Sequence, residues 1–271
     1  MPLEVSGERM MVDHYQSSIE DYVIYLEHLA AYRFAARRVA DRRVLDYGCG
    51  SGYGAAQLAE VAAEVVAVDV SGDAIEYASS RFRRDNLRFL RVDPTGRLPF
   101  RDAEFAAVLS FQVFEHIADA AAYLREIARV LEPGGELVLV TPDRTHRLLP
   151  LQKPWNRWHV REYDARSLSR IVGGVFAEVS IQQMSGRRDV LDVELRRFRR
   201  LKWLTLPATL PCMPDRLRVA LLNGLHRLRA GGGHQGAPRQ FDFGPEVISI
   251  GPGLEPSLNL VAIAKNPHSS S

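Results

Sequence analysis

Short apolar runs alternate along this chain with longer stretches in which apolar positions recur at helical spacing. Strands are predicted at Arg43-Val44-Leu45, 64–70, 87–92, 105–111, 136–141, 175–184 and 258–264, each too short for a helix and bounded by turn residues. Between them the spacing predicts helices, through Ala55, Leu58, Ala59 and Ala62, then Ala74, Ile75, Ala78 and Phe82, then Leu124, Ile127, Ala128 and Leu131, and over 165–172. A further helix is expected before the first strand, from Ser18 to Ala40, with Val23, Leu26, Leu29 and Ala30 near one face and tyrosines interleaved. Ser71 and Asp119 stand where helix N-caps are wanted.

Val44-Leu45-Asp46-Tyr47-Gly48-Cys49-Gly50-Ser51-Gly52-Tyr53-Gly54 sharpens this picture. A buried strand ends in an acid, runs into a glycine turn and enters a helix, which is how a nucleotide site is built. The dinucleotide pattern G-x-G-x-x-G fails at its sixth position, Tyr53. A carboxylate before the first glycine would repel a pyrophosphate and tolerate a cation. The stretch therefore resembles motif I of the class I S-adenosylmethionine-dependent methyltransferases, whose cofactor carries an ammonium and a sulfonium and no phosphate. Leu131-Glu132-Pro133-Gly134-Gly135 before an apolar strand and Glu115-His116-Ile117 after the fourth strand are similar to the small-molecule (methyltransferase type 11-like) branch. Gly7-Glu8-Arg9 followed by Glu27-His28-Leu29-Ala30-Ala31-Tyr32-Arg33-Phe34-Ala35, and His159-Val160-Arg161-Glu162-Tyr163, resemble runs in members that act in sugar and polysaccharide pathways.

The resemblance implies an α/β fold: a doubly wound, seven-stranded, mostly parallel sheet whose last strand is antiparallel. It implies a helical lid over 1–40, a cofactor-binding core over 41–184, a basic helical insertion over 185–257 and a last strand with tail over 258–271. Asp69 ends the second strand at the spacing of an acid that takes ribose hydroxyls, and the resemblance gives Asp93 the adenine amino group. The expected cofactor-binding set is Asp46, Gly48, Cys49, Gly50, Asp69, Val70, Asp93, Phe111 and Gln112, with Tyr15 from the lid. A hydroxyl acceptor must also lose a proton, and His116 and His159 are the candidates near neutral pH. No His/Asp/Glu set has metal-ligand spacing in the sequence, so no metal is expected.

Composition adds bounds. The 271 residues suffice for one α/β domain with decoration, and a net charge of +2 gives no reason to expect nucleic acid. Two cysteines and no apolar run long enough to span a bilayer suit a reducing cytoplasm, and the opening residues do not read as a signal peptide. From Arg187 to Arg229 eleven Arg/Lys face four Asp/Glu. Solvated helix faces explain this by default; a basic surface beside Trp203 also suits anionic lipid or a phosphorylated carrier. The expected activity is methyl transfer to a small-molecule acceptor, first a hydroxyl of a free, nucleotide-linked or lipid-linked sugar, second a quinone-like or natural-product phenol. An NAD(P)-dependent oxidoreductase and a non-catalytic adenosyl-ligand binder are the competing classes.

Overall fold

A computed structural model of the chain describes residues 15, 18–93, 97–230 and 241–268, with the final turn 226–230 by its backbone alone. The expected lid before Tyr15, the turn at Pro94 and most of the glycine-rich loop 230–238 lie outside the described residues. The elements in chain order are α1 (Ile19–Ala36), β1 (Arg43–Tyr47), α2 (Tyr53–Leu58), β2 (Glu64–Asp69), α3 (Gly72–Arg81), β3 (Leu87–Arg91), β4 (Phe105–Phe111) and α4 (Ala120–Val130). There follow β5 (Leu131–Pro142), α5 (Arg144–Arg147), α6 (Ala165–Gly173), β6 (Phe176–Gly186), α7 (Arg188–Leu204), α8 (Asp215–Ala230), β7 (Ile248–Gly251) and β8 (Asn259–Pro267).

One sheet runs in the order β3-β2-β1-β4-β5-β8-β6-β7. The first five strands pair in parallel, while β8 is antiparallel to both of its neighbours. The doubly wound sheet and its antiparallel last strand are as expected. The strand count is eight rather than seven, because the four-residue β7 adds antiparallel to the edge of β6. The sequence does alternate over Ile248-Ser249-Ile250, but so short a segment is fixed only by the edge it finds.

Parallel strands buried on both faces read as nearly continuous apolar runs, and β4 is buried at all seven positions. Successive residues point to opposite faces. Val44 accordingly joins the core under α1 and α2, and Leu45 the core under α4 and α6. Truncating a fully buried residue such as Leu45 or Leu124 to alanine typically costs about 2–5 kcal/mol. Helix entries are fixed locally: Ser18 accepts from the Asp21 amide, Ser71 from that of Ala74 and Asp119 from that of Ala122. No helix among the described residues is long and apolar enough to cross a membrane.

The strand order reverses between β1 and β4, and open α/β sheets bind ligands beyond the carboxyl ends of the strands at such a switch point. The turns after β1, β2 and β4 meet there.

Candidate functional site

A cavity of about 370 Å³ opens at that switch point, within the size range of small-molecule sites. Gly48, Cys49, Gly50 and Ser51 form one side, Asp69 and Val70 another, and Phe111, Gln112, Val113 and His116 a third. Tyr32, Tyr47, Tyr53 and Tyr123 complete the wall with His28.

The glycines of the first turn are not equivalent. A Cβ on Gly50, whose φ is +53°, would meet nothing within 4 Å, so this residue lies open for close approach of a ligand. A Cβ on Gly54 would fall 2.0 Å from the Tyr32 ring. Gly54 is thus reserved for helix packing, and the glycine spacing serves the fold as well as the cavity.

Asp69 is buried at the carboxyl end of β2. Its Oδ2 accepts from the Gly50 amide and its Oδ1 from the Ser71 amide, both at 2.9 Å. The carboxylate ties two turns together while lining the cavity. Asp46 is 1% exposed, behind the lining residues rather than among them. The Tyr32 hydroxyl donates to it at 3.2 Å. Burial pushes the Asp46 carboxyl up to about 7, against the pull of that hydroxyl and with a further push from Asp69. Burial, with Asp46 and Asp69, likewise raises the Cys49 thiol, which is inert as a nucleophile in this setting.

Among the other expected cofactor residues, Gln112 takes a left-handed backbone, φ +55°. Its side chain donates to Asn259 on β8, which in turn donates to Glu27 on α1. Phe111, Gln112 and Val70 line the cavity. Asp93 is exposed past the end of β3 and outside the lining set, and Tyr15 stacks on Tyr25 at a centroid distance of 4.0 Å, also outside it. His28 and Tyr32, to which the sequence assigns no site role by itself, share one face of α1 at i and i+4. Burial lowers His28 to about 4, so its ring is neutral. Tyr47 stacks on Tyr123, whose hydroxyl lies 2.9 Å from that of Ser110. Polar aromatics within a core pattern were the signal, but only the fold gathers them.

The two candidate bases meet. The rings of His116 and His159 are edge to face at 4.9 Å. His116 borders the cavity, while His159 stands behind it, 5% exposed. The His159 Nδ1 lies 2.7 Å from Glu162 Oε1, and Arg147 donates to both Glu162 oxygens at 2.9 and 3.1 Å. Burial alone would raise Glu162; Arg147 and His159 prevail and hold it at about 2. Glu115 is buried beside them, where burial raises its carboxyl against the pull of His159 and the Thr141 hydroxyl. The Glu115 backbone carbonyl accepts from the amides of Val160 and Arg161, stitching the turn after β4 to the loop after β5.

The segment between β6 and β7 holds that loop in place. Arg218 of α8 is buried and donates to the carbonyls of Pro154, Asn156 and His159 at 2.8, 3.2 and 3.3 Å. Lys153 donates to Met213 and Asp215, and Gln152 to Lys202 and Thr209.

Among the described residues no lysine or arginine lines the cavity, whereas Asp69 lines it and Asp46 lies beneath it. A pyrophosphate would find repulsion here, and a cationic nucleoside with no phosphate finds complementary charge. Sheet order and cavity together define the methyltransferase-like class of doubly wound folds. Known proteins agree. Residues 45–139 match the model of a family described as "Methyltransferase domain". A probable S-adenosylmethionine-dependent methyltransferase of Mycolicibacterium smegmatis is 30% identical over 207 residues, covering 72% of this chain and 78% of that protein. A probable S-adenosylmethionine-dependent methyltransferase of Mycobacterium tuberculosis strain H37Rv is 37% identical over 180 residues, covering 66% of this chain; the matched region spans 63% of the relative's length. A solved S-adenosylmethionine-dependent methyltransferase of Thermotoga maritima, described as a possible histamine N-methyltransferase, shares the fold at a TM-score of 0.55 and 15% identity, covering 90% of this chain and 91% of that one. The chain belongs to the S-adenosylmethionine-dependent methyltransferases, and S-adenosylmethionine is the cofactor this family membership indicates.

Proposed function

We propose that this protein transfers the methyl group of S-adenosylmethionine to a hydroxyl of a small-molecule acceptor, a sugar being the acceptor class favoured. The observation that carries the reading is the cavity at the switch point, lined by Asp69 and, among the described residues, by no Lys or Arg. Gly50 admits the ligand against bare backbone, Asp69 offers its remaining lone pairs to the ribose, and Asp46 balances positive charge from below. Four tyrosines line the cavity, and aromatic rings suit a cationic ligand. The cofactor supplies an activated methyl on sulfur. The chain's own task is alignment of the acceptor, a proximity effect worth up to about 7–11 kcal/mol.

The acceptor enters on the side of Gln112, His116 and Tyr123. His116 borders the cavity there, with Glu115 and His159 buried behind it, and this cluster promotes loss of the hydroxyl proton. Trp158, 49% exposed, lies next to this cluster through its backbone carbonyl, 3.2 Å from the His116 Nδ1. A flat aromatic face next to polar handles suits a sugar ring. The basic insertion exposes Trp203, Leu204, Leu210, Leu217 and Leu221 among its arginines, which fits peripheral contact with an anionic bilayer carrying a lipid-linked acceptor.

Calorimetry with the purified chain tests the cofactor: S-adenosylhomocysteine should bind and NAD far more weakly. Labelled S-adenosylmethionine with a panel of nucleotide and lipid-linked sugars then tests the acceptor. Tight NAD binding that Asp46→Ala leaves unchanged would sink the reading, and label passing only to phenols would remove the sugar.

A further inference from the structure

We propose that Glu115, His116 and His159 bind one divalent transition-metal ion at the acceptor wall. One ligand atom from each of the three residues falls within 4.8 Å of the others. The sequence conceals this set because Glu115-His116 follows β4 and His159 lies on the loop after β5. Only the stitching of Val160 and Arg161 to the Glu115 carbonyl brings the two segments together.

Each donor is already held in the manner of a metal ligand. The Nδ1 of His159 faces Glu162, itself gripped through both oxygens by Arg147. The Nδ1 of His116 faces the Trp158 carbonyl. Such outer partners fix the tautomer, making Nε2 the basic nitrogen of each ring. Glu115 Oε2 accepts from the Thr141 hydroxyl at 2.9 Å. The Arg147–Glu162 pair balances its own charge, whereas no salt bridge reaches Glu115 among the described residues. A dication between Glu115 and the two imidazoles would supply that compensation.

Two imidazoles and one carboxylate form the donor set of Zn²⁺, Fe²⁺, Mn²⁺ or Co²⁺ sites, rather than the all-oxygen set that Ca²⁺ and Mg²⁺ prefer. Donors on one ion at about 2.0–2.2 Å sit roughly 3–3.5 Å apart, so modest side-chain rotation closes the site. His116 also borders the cavity, so the ion has an approach for a further ligand. The ion's chemical role, though not its binding, rests on the methyl-transfer reading. Beside an acceptor hydroxyl it would lower that group's pKa; the proton passes to solvent, and both imidazoles serve as ligands rather than as free bases.

The test uses tag-free full chain stripped with EDTA, in a Cys212→Ser background so that the exposed thiol does not compete. Titration with Co²⁺ should produce visible absorption that saturates at one equivalent and is displaced by Zn²⁺. Glu115→Gln and His159→Gln should each weaken binding at least about 100-fold, and the positioning residue Glu162, as Glu162→Gln, by about 10–100-fold. S-adenosylhomocysteine affinity is measured on every variant. Its retention shows an intact fold, and its absence from a parent that binds Co²⁺ would refute the cofactor reading while leaving the metal site standing. No saturable binding in the parent overturns the proposal, as does Co²⁺ affinity unchanged in both ligand variants. If those two variants fail to fold, His116→Ala, at a half-exposed position, decides in the same way.

Discussion

The two ends of the site are built differently. At the proposed cofactor end, Asp46, Gly48, Cys49 and Gly50 come from one strand and its turn, and Asp69 joins them through a hydrogen bond to the Gly50 amide. At the proposed acceptor end, Glu115 and His116 come from the turn after β4, His159 and Glu162 from the loop after β5, Arg147 from α5 and Arg218 from α8. The first is a local motif that a parallel sheet places by its own regularity. The second exists only once a helical segment from late in the chain has braced an irregular loop. Such a division lets one end keep the cofactor while the other changes acceptor through loop contacts alone.

The sharpest way to break the comparison is to remove the residue where the two ends touch. His116→Ala is expected to lower turnover by about 10²–10⁴-fold while S-adenosylhomocysteine affinity stays within twofold, by steady-state kinetics beside calorimetry. A parallel loss of cofactor binding would show that the ends are one unit. Asp69→Ala is the converse at the cofactor end. Losing a charged acceptor for buried hydroxyls should weaken cofactor binding by about 1.5–3 kcal/mol, or roughly 10–150-fold. Asp69→Asn should recover part of it by keeping one oxygen for a backbone amide.

Arg218→Met tests the bracing. Three loop carbonyls lose their donor, so denaturant unfolding should fall by about 1–3 kcal/mol, and turnover should fall while cofactor affinity holds. Unchanged turnover would mean that the loop after β5 keeps its shape without α8.

The smallest effect is one of pH. In the cofactor-free protein Asp46 titrates near 7, above the 3.8 of an ordinary aspartate, because it is buried. A group raised in this way costs the fold stability as it ionises, from about pH 4 up to about 7. A cationic ligand favours the ionised form. Affinity for S-adenosylmethionine should therefore fall as pH drops below about 7, by at most tenfold per unit, and Asp46→Asn should flatten the profile. A profile as steep in that variant would assign the proton to another group.

The strand and helix sequence, the two acids ending β1 and β2 and the caps of α3 and α4 were legible in the chain, because each rests on spacing within one element. The glycine turn was legible as a turn, yet its division of labour was not: only packing against Tyr32 shows that Gly54 serves the helix and Gly50 the cavity. His116 and His159 could be picked as chemistry-bearing residues, but not their edge-to-face contact, nor that His116 alone of the two borders the cavity. Sequence thus determined what depends on neighbours along the chain, through periodicity, turn chemistry and the charge of a residue at a strand's end. Tertiary structure decided what depends on distance across it: the eighth strand on the edge of β6, the Asp46 carboxyl raised by burial, and the Glu115, His116 and His159 cluster. Burial and convergence are properties of packing, and no local pattern encodes which distant loop will close over a site.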